Sequence, residues 1–327
     1  MNKKERVRAA LAGHDVDHAP VSLWGHDFLR EWTPRGLVAA TLDAYRAHDW
    51  DFIKFNPRAT YFAEAWGNTY ERPTGQHQPR LTGVAVGNAQ ALHGIRPENP
   101  HRGVFGEHLH ALRLLLDEVG DEVDVVHTVF SPLGVVAMLC GTQNEFLDYA
   151  HQNLTGAHHA LQAVTETLAG YAEAALDAGA SGIFFAPLTW ASRNTCDEAF
   201  YREFGRPYDL QVLWSIQPAP FNILHVCRSH NLIDLLLDYP VAVFNWADRQ
   251  EGNPSLADVR ERSGKPVMGG VDQVAIATAD AATVGAQAAD AVRSVPRGLF
   301  VTGGCAIPPA TPTANIRAVI DTVRSAA

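Results

Sequence analysis

Short apolar, β-rich runs alternate with longer Ala-, Leu- and Glu-rich stretches of helical period along most of this chain. That rhythm is the mark of repeated βα units. The runs fall at residues 19–24 (APVSLW), 52–56 (FIKFN), 123–129 (VDVVHTV), 182–186 (GIFFA), 222–226 (NILHV), 241–246 (VAVFNW), 266–269 (PVMG) and 299–302 (LFVT). Eight parallel strands of this kind close most simply into a (β/α)8 barrel, the TIM-barrel arrangement, as a single domain over residues 1–327.

The intervening helices have readable ends. Residues 154–178 form a long Ala-rich amphipathic stretch, with Gly179 placed to end it. Ser255 stands as an N-cap before LADVRERSG, and residues 313–326 close the chain as a helix after PPATP. From residue 57 to about 100 the rhythm breaks into turn-rich sequence without helical period, WGNTYERPTGQHQPRLTG within it. This reads as an excursion after the second strand, a hairpin laid over one mouth of the barrel.

Composition narrows the function. Hydrophobic residues make up 46% of the chain, enough for a sizeable core. The formal charge of −10 leaves no basic footprint for nucleic acid or an anionic membrane. No apolar run is long enough to span a bilayer, and the opening MNKKERVRAALAGHDVD lacks the apolar stretch of a signal peptide, so a cytoplasmic protein is expected. In that compartment the four cysteines, Cys140, Cys196, Cys227 and Cys305, are core thiols or metal ligands rather than a disulfide framework.

In parallel barrels chemistry gathers at the carboxyl ends of the strands. There the sequence offers Trp24-Gly25-His26, Asn56, Ser131, Pro187 and Thr189, the pair His225 and Cys227, residues 245–248, residues 270–272, and Gly303-Gly304-Cys305. His225 and Cys227 are two apart in FNILHVCR, so the period of a strand puts both on one face, towards the barrel interior. Cys305 ends the last strand in TGGCAIPP, where the glycines allow a close backbone approach. Two thiolates and an imidazole are a soft set suited to zinc, and three protein ligands leave a fourth position open, as in catalytic sites. Zinc with two thiolates is formally neutral, so a bound thiol can lose its proton and stay nucleophilic, whereas a three-histidine site favours hydroxide. On spacing alone, buried core residues remain an equal reading.

HVC followed far downstream by GGCAIPPATPTANI resembles the H-x-C…C motif of the methylcobamide:thiol (coenzyme M-type) methyltransferases of the uroporphyrinogen decarboxylase superfamily. The resemblance extends through RAALAGHDVDHAPVSLW, VFSPLGVVAML and FNWADRQEGNPSLADVRERSGKPVMGGVDQ, nearly the whole chain. It implies a (β/α)8 barrel with His225, Cys227 and Cys305 as zinc ligands and catalytic centre. It also implies a small-molecule thiol acceptor, and a methyl group often delivered from the corrinoid of a partner protein. The decarboxylase branch holds its substrate's propionates with an arginine-rich R-Q-A-G-R-Y segment. Here the matching stretch reads LWGHDFLREW, and Cys305 stands where that branch has no cysteine. A cofactor-free uroporphyrinogen decarboxylase is therefore the alternative, and a non-catalytic zinc-binding accessory subunit of a methyl-transfer system a further one.

Asn56, Ser131, Asn245, Asp248 and Asp272 are candidate substrate contacts. Either aspartate suits the open metal position, or else a loop hydrogen bond or helix cap. Cys140 and Cys196 read as structural, His151, His158 and His159 as solvated, and His26 and His127 as packed or hydrogen-bonded. The Gly269-Gly270 and Gly303-Gly304 pairs lack the spacing of a nucleotide-binding loop.

Overall fold

The computed structural model describes residues 1–217 and 219–326. Among the described residues there are nine strands: β1 (Phe52–Phe55), β2 (Thr69–Glu71), β3 (Arg80–Gly83), β4 (Asp124–Phe130), β5 (Gly182–Ala186), β6 (Ile223–Val226), β7 (Val243–Trp246), β8 (Val267–Val271) and β9 (Leu299–Gly303). Seven of them form one parallel sheet in the order β1-β4-β5-β6-β7-β8-β9. Every residue of β1, β5, β6, β7, β8 and β9 is buried, as expected where helices cover one face of a parallel sheet and the barrel core fills the other.

The segment at 19–24 closes this curl into a (β/α)8 barrel, but it makes single bridges rather than a regular ladder. Val21 pairs in parallel with Val301 on one side, and on the other its carbonyl accepts from the Asp51 amide at 3.0 Å. Pro20 has no amide to give, and the Val21 amide is taken by the Asp51 carboxylate at 2.8 Å. The other Asp51 oxygen accepts from the Arg6 guanidinium at 2.6 Å, so a buried ion pair stands where ladder bonds would run.

The helices follow from their caps. The long helix spans Leu154–Asp177 and ends against Gly179, whose φ of 111° suits glycine. Ser255 and Asp258 form a reciprocal capping box on the helix Leu256–Ser263. The closing helix is Thr313–Ser325. The excursion after β1 contains the antiparallel hairpin β2–β3. Gln76, in the turn between those strands, accepts from the Phe28 amide and donates to Asp27. The hairpin is thereby tied to the loop that follows the first barrel segment, at the mouth.

Alternating positions fill the barrel in layers. Near the amino ends of the strands, the rings of Phe52, Phe221 and Phe300 meet at 5.4–5.9 Å between centroids. Two residues further along β1 and β9 stand Lys54 and Thr302, and along β6 the inward series runs Ile223, His225 and then Cys227. The polar groups begin where the aromatic layer ends.

Candidate metal centre

His225 and Cys227 leave the end of β6 on one face, and Cys305 arrives just beyond β9. Their donor atoms all lie within 4.8 Å of one another. His225 Nε2 is 2.9 Å from Cys227 Sγ, and the two sulfurs are 3.9 Å apart. Gly304 makes this approach possible: a Cβ there would lie 2.6 Å from the Ala247 Cα, at the end of β7. On the other side, Arg228 directly after Cys227 takes a positive φ of 71°, costly for a side-chain-bearing residue, and its carbonyl is held by Asn253 at 2.8 Å.

Asn245 determines which histidine nitrogen faces the sulfurs. It is paired with His225 across the β6–β7 ladder, is fully buried, and its amide nitrogen donates to the Met268 carbonyl at 2.9 Å. Its oxygen must therefore face the ring, 2.5 Å from Nδ1, so Nδ1 carries the proton and donates. Nε2 is left with a lone pair aimed at Cys227. The ring is also stacked on Phe184, at 4.9 Å. An outer residue that fixes tautomer and tilt in this way is what a metal-ligating histidine ordinarily has.

The two thiols share their titration. Cys227 is pushed well up, by its contact with Cys305 and by burial. Cys305 is drawn well down by the hydrogen bond from Cys227, against burial, with help from the Ala306 amide. The contact thus sets the two sulfurs apart, Cys227 towards thiol and Cys305 towards thiolate. Cys140 and Cys196 lie elsewhere, and burial pushes each thiol up to about 12.

The candidate contacts are dispersed around this centre. Asn56 lines a cavity at the mouth of about 340 Å³ and donates to the Gly25 carbonyl at 2.9 Å. Ser131 is buried as the N-cap of the helix Pro132–Cys140. Asp248 accepts from the Gly270 amide at 2.9 Å, and burial pushes its carboxyl up to about 6. Asp272 accepts from the Val274 and Ala275 amides, the work of a loop cap. Asn245 stands behind the histidine as described. Among the histidines, His127 bonds the Tyr171 hydroxyl at 2.8 Å deep in the core, His158 stacks on Phe204, and His159 bonds the Ile95 carbonyl.

Sequence reasoning passed over Lys54 and Glu31. Lys54 is buried on β1, its ammonium 4.7 Å from the centre of the Phe184 ring and bonded to the Asn56 side chain. Burial draws it down to about 7, against the negative charge of Cys305, Cys227 and Glu31. Glu31 is buried too, with Oε2 2.8 Å from His26 Nδ1. A lysine inside the apolar run FIKFN, on the inward register of Phe52, was the available signal for the first. Nothing local in DFLREW marks Glu31.

Comparison with known proteins agrees with this architecture. The family model described as Uroporphyrinogen decarboxylase (URO-D) matches residues 2–326. The chain is 22% identical to a protein named methylcobamide:CoM methyltransferase MtaA from Methanosarcina barkeri, over 97% of this chain and 96% of that one. It is also 22% identical to one named methylcobamide:CoM methyltransferase MtbA from Methanosarcina acetivorans, over 80% and 76%. Among solved structures, a methyltransferase from Methanosarcina mazei superposes with a TM-score of 0.83 at 21% identity, covering 100% of this chain and 99% of that one. A B12-independent methionine synthase from Shewanella sp., in complex with selenomethionine, superposes at 0.61 with 14% identity and 94% of each chain. No helix among the described residues is long and apolar enough to cross a membrane.

Proposed function

The chain belongs to the uroporphyrinogen decarboxylase family, and within it we propose a zinc-dependent methyltransferase that methylates a small-molecule thiol, with a methyl-corrinoid, free or on a partner protein, as donor. The observation that carries this reading is the convergence of His225, Cys227 and Cys305 at the barrel mouth with the histidine tautomer fixed by Asn245. The donor set suits the ion. Zn–S bonds of about 2.3 Å at a tetrahedral angle separate two sulfurs by about 3.8 Å, and the sulfurs here are 3.9 Å apart. A Zn–N bond of about 2.0 Å asks for roughly 3.5 Å between Nε2 and Sγ, so the His225–Cys227 contact at 2.9 Å must open slightly.

Bound there, zinc would lower the pKa of a thiol in the fourth position while two thiolates keep the site formally neutral and that sulfur nucleophilic. The chain's own groups prepare for this. Asn245 holds the Nδ1 proton, so Nε2 is free to ligate. Phe184 stacks on the His225 ring and meets Trp24 edge-on, and the Lys54 ammonium favours the thiolate forms of both cysteines. The relatives' names, methylcobamide:CoM methyltransferases, support the donor and the thiol acceptor.

Porphyrinogen decarboxylation is less well served. Of the cations lining the mouth cavity, Arg30 is already neutralised by Asp27 and Asp43, which leaves Lys54 alone for a polycarboxylate. The test is to supply methylcobalamin and thiols to zinc-loaded protein and follow demethylation by absorbance. Turnover that disappears with chelation and returns with zinc is expected. Formation of coproporphyrinogen from uroporphyrinogen, without thiol methylation, would reverse the assignment.

A further inference from the structure

The mouth cavity holds two opposite charges that the protein leaves incompletely met. Its lining includes Trp24, His26, Glu31, Lys54 and Asn56. Lys54 has three N–H donors and one hydrogen-bond partner, the Asn56 oxygen, and the Asn56 amide is committed to the Gly25 carbonyl. Glu31 spends one oxygen on His26, while Oε1 is buried with no hydrogen-bond partner among the described residues. The other charged groups of the lining are satisfied: Arg30 bonds Asp27 and Asp43, and Asp27 also accepts from Gln76. Among the described residues no ion pair joins Lys54 to Glu31, whose contact is with His26. A buried ammonium and a buried carboxylate that line one cavity with donors and an oxygen left over are costly unless something else completes them.

The complement of such a pair is a small molecule that carries an acceptor anion and a donor cation close together. The Lys54 ammonium stands 4.7 Å from the centre of the Phe184 ring, and that ring stacks on His225 at 4.9 Å, so the cation lies one ring away from the candidate metal ligands. We infer that the acceptor is an α-amino-acid thiol, its carboxylate received by Lys54 and its ammonium by Glu31 while its sulfur reaches the His225–Cys227–Cys305 centre. This rests on the thiol acceptor proposed above and specifies its class. A sulfonated thiol without an amine would satisfy Lys54 and leave Glu31 unmet. His26 has a positioning role here: it holds one Glu31 oxygen, so the other is free for the ligand.

The test is calorimetric titration of the zinc-loaded enzyme with L-homocysteine, 4-mercaptobutanoate, 3-mercaptopropylamine and 2-mercaptoethanesulfonate. The second lacks the amine and the third lacks the carboxylate. A hydrogen bond to a charged group corresponds to about tenfold in affinity or more. Homocysteine is therefore expected to bind at least about tenfold more tightly than each of the other three. Glu31→Gln should erase its advantage over 4-mercaptobutanoate, and Lys54→Met its advantage over 3-mercaptopropylamine, with zinc content and circular dichroism confirming folded holoenzyme. If 4-mercaptobutanoate or the sulfonate binds as tightly as homocysteine to the wild type, the inference is overturned while thiol activation stands. If none of the four binds, both fall together.

Discussion

The two ends of the barrel are built on the same inward positions of the same strands, and they could hardly differ more. At the amino ends Phe52 meets Phe221 and Phe300 edge-to-face and those two rings are tilted on each other, with no polar atom among their side chains. Two residues along, Phe52 gives way to Lys54 and Phe300 to Thr302, and His225, Asn245 and Cys227 share that upper layer. The lower layer needs nothing but shape, so it contributes stability. The upper layer holds polar groups that are tolerable only when each has a partner, and the partners it has fix atoms in place: Asn245 orients a ring, and Gly304 admits a thiol. Strand period alone therefore divides the interior into a structural half and a chemical half.

The largest expected effect lies in the structural half. Phe52→Ala should cost about 3–5 kcal/mol of stability, measured by urea denaturation, because it leaves a cavity in a layer with no slack. Its folded fraction should hold zinc like the wild type. Cys305→Ser should do the reverse, losing the metal while the stability of metal-free protein moves by less than about 1 kcal/mol. A Phe52→Ala protein that folds normally but loses its metal would break the division.

A buried carboxylate outside the barrel interior, Asp209, sharpens it. Asp209 accepts from the Tyr201 and Tyr239 hydroxyls at 2.6 and 2.9 Å, and burial pushes its carboxyl up to about 7. The folded state therefore keeps a proton that the unfolded chain releases near pH 4, so Asp209 favours folding at low pH and loses that contribution as pH rises towards 7. Between pH 5 and 8 the wild type should lose about 2–3 kcal/mol relative to Asp209→Asn, seen in paired denaturation curves. Equal pH dependence of the two proteins would show that the carboxylate ionises without cost. Zinc affinity should be the same in both, since this cluster belongs to the helical layer.

Smaller again is the effect of Asn245, which stands behind the candidate metal ligand His225. Asn245→Ala should weaken zinc binding by about 10–100-fold in competition with a chelator, through loss of the fixed tautomer. Retained affinity would mean that the histidine is oriented by Phe184 alone.

How legible all this was follows the same line. The barrel could be read because the strand runs are mostly apolar and several helix ends carry readable signals, Ser255 and Gly179 among them. The segment 19–24 reads as a strand from its residues, but its ladder is replaced by the Arg6–Asp51 pair, a contact 45 residues apart that no local pattern announces. His225, Cys227 and Cys305 stood out because thiols and imidazole at strand ends are chemically distinctive. Asn245, Asp248 and Asp272 are ambiguous in sequence, since an amide or carboxylate at a strand end serves a ligand, a ring or a backbone amide equally well. Lys54 and Glu31 acquire meaning only when the fold brings a β1 side chain and the 26–31 loop to one cavity.

The central claim is that three side chains hold one zinc ion for catalysis rather than for folding. Elemental analysis of protein purified without chelator, alongside Cys227→Ser and Cys305→Ser, tests it most directly. The account predicts about one zinc per wild-type chain, loss of the metal in both variants, and native circular dichroism in all three proteins. Full zinc in either variant, or a metal-free protein that is unfolded, would contradict it.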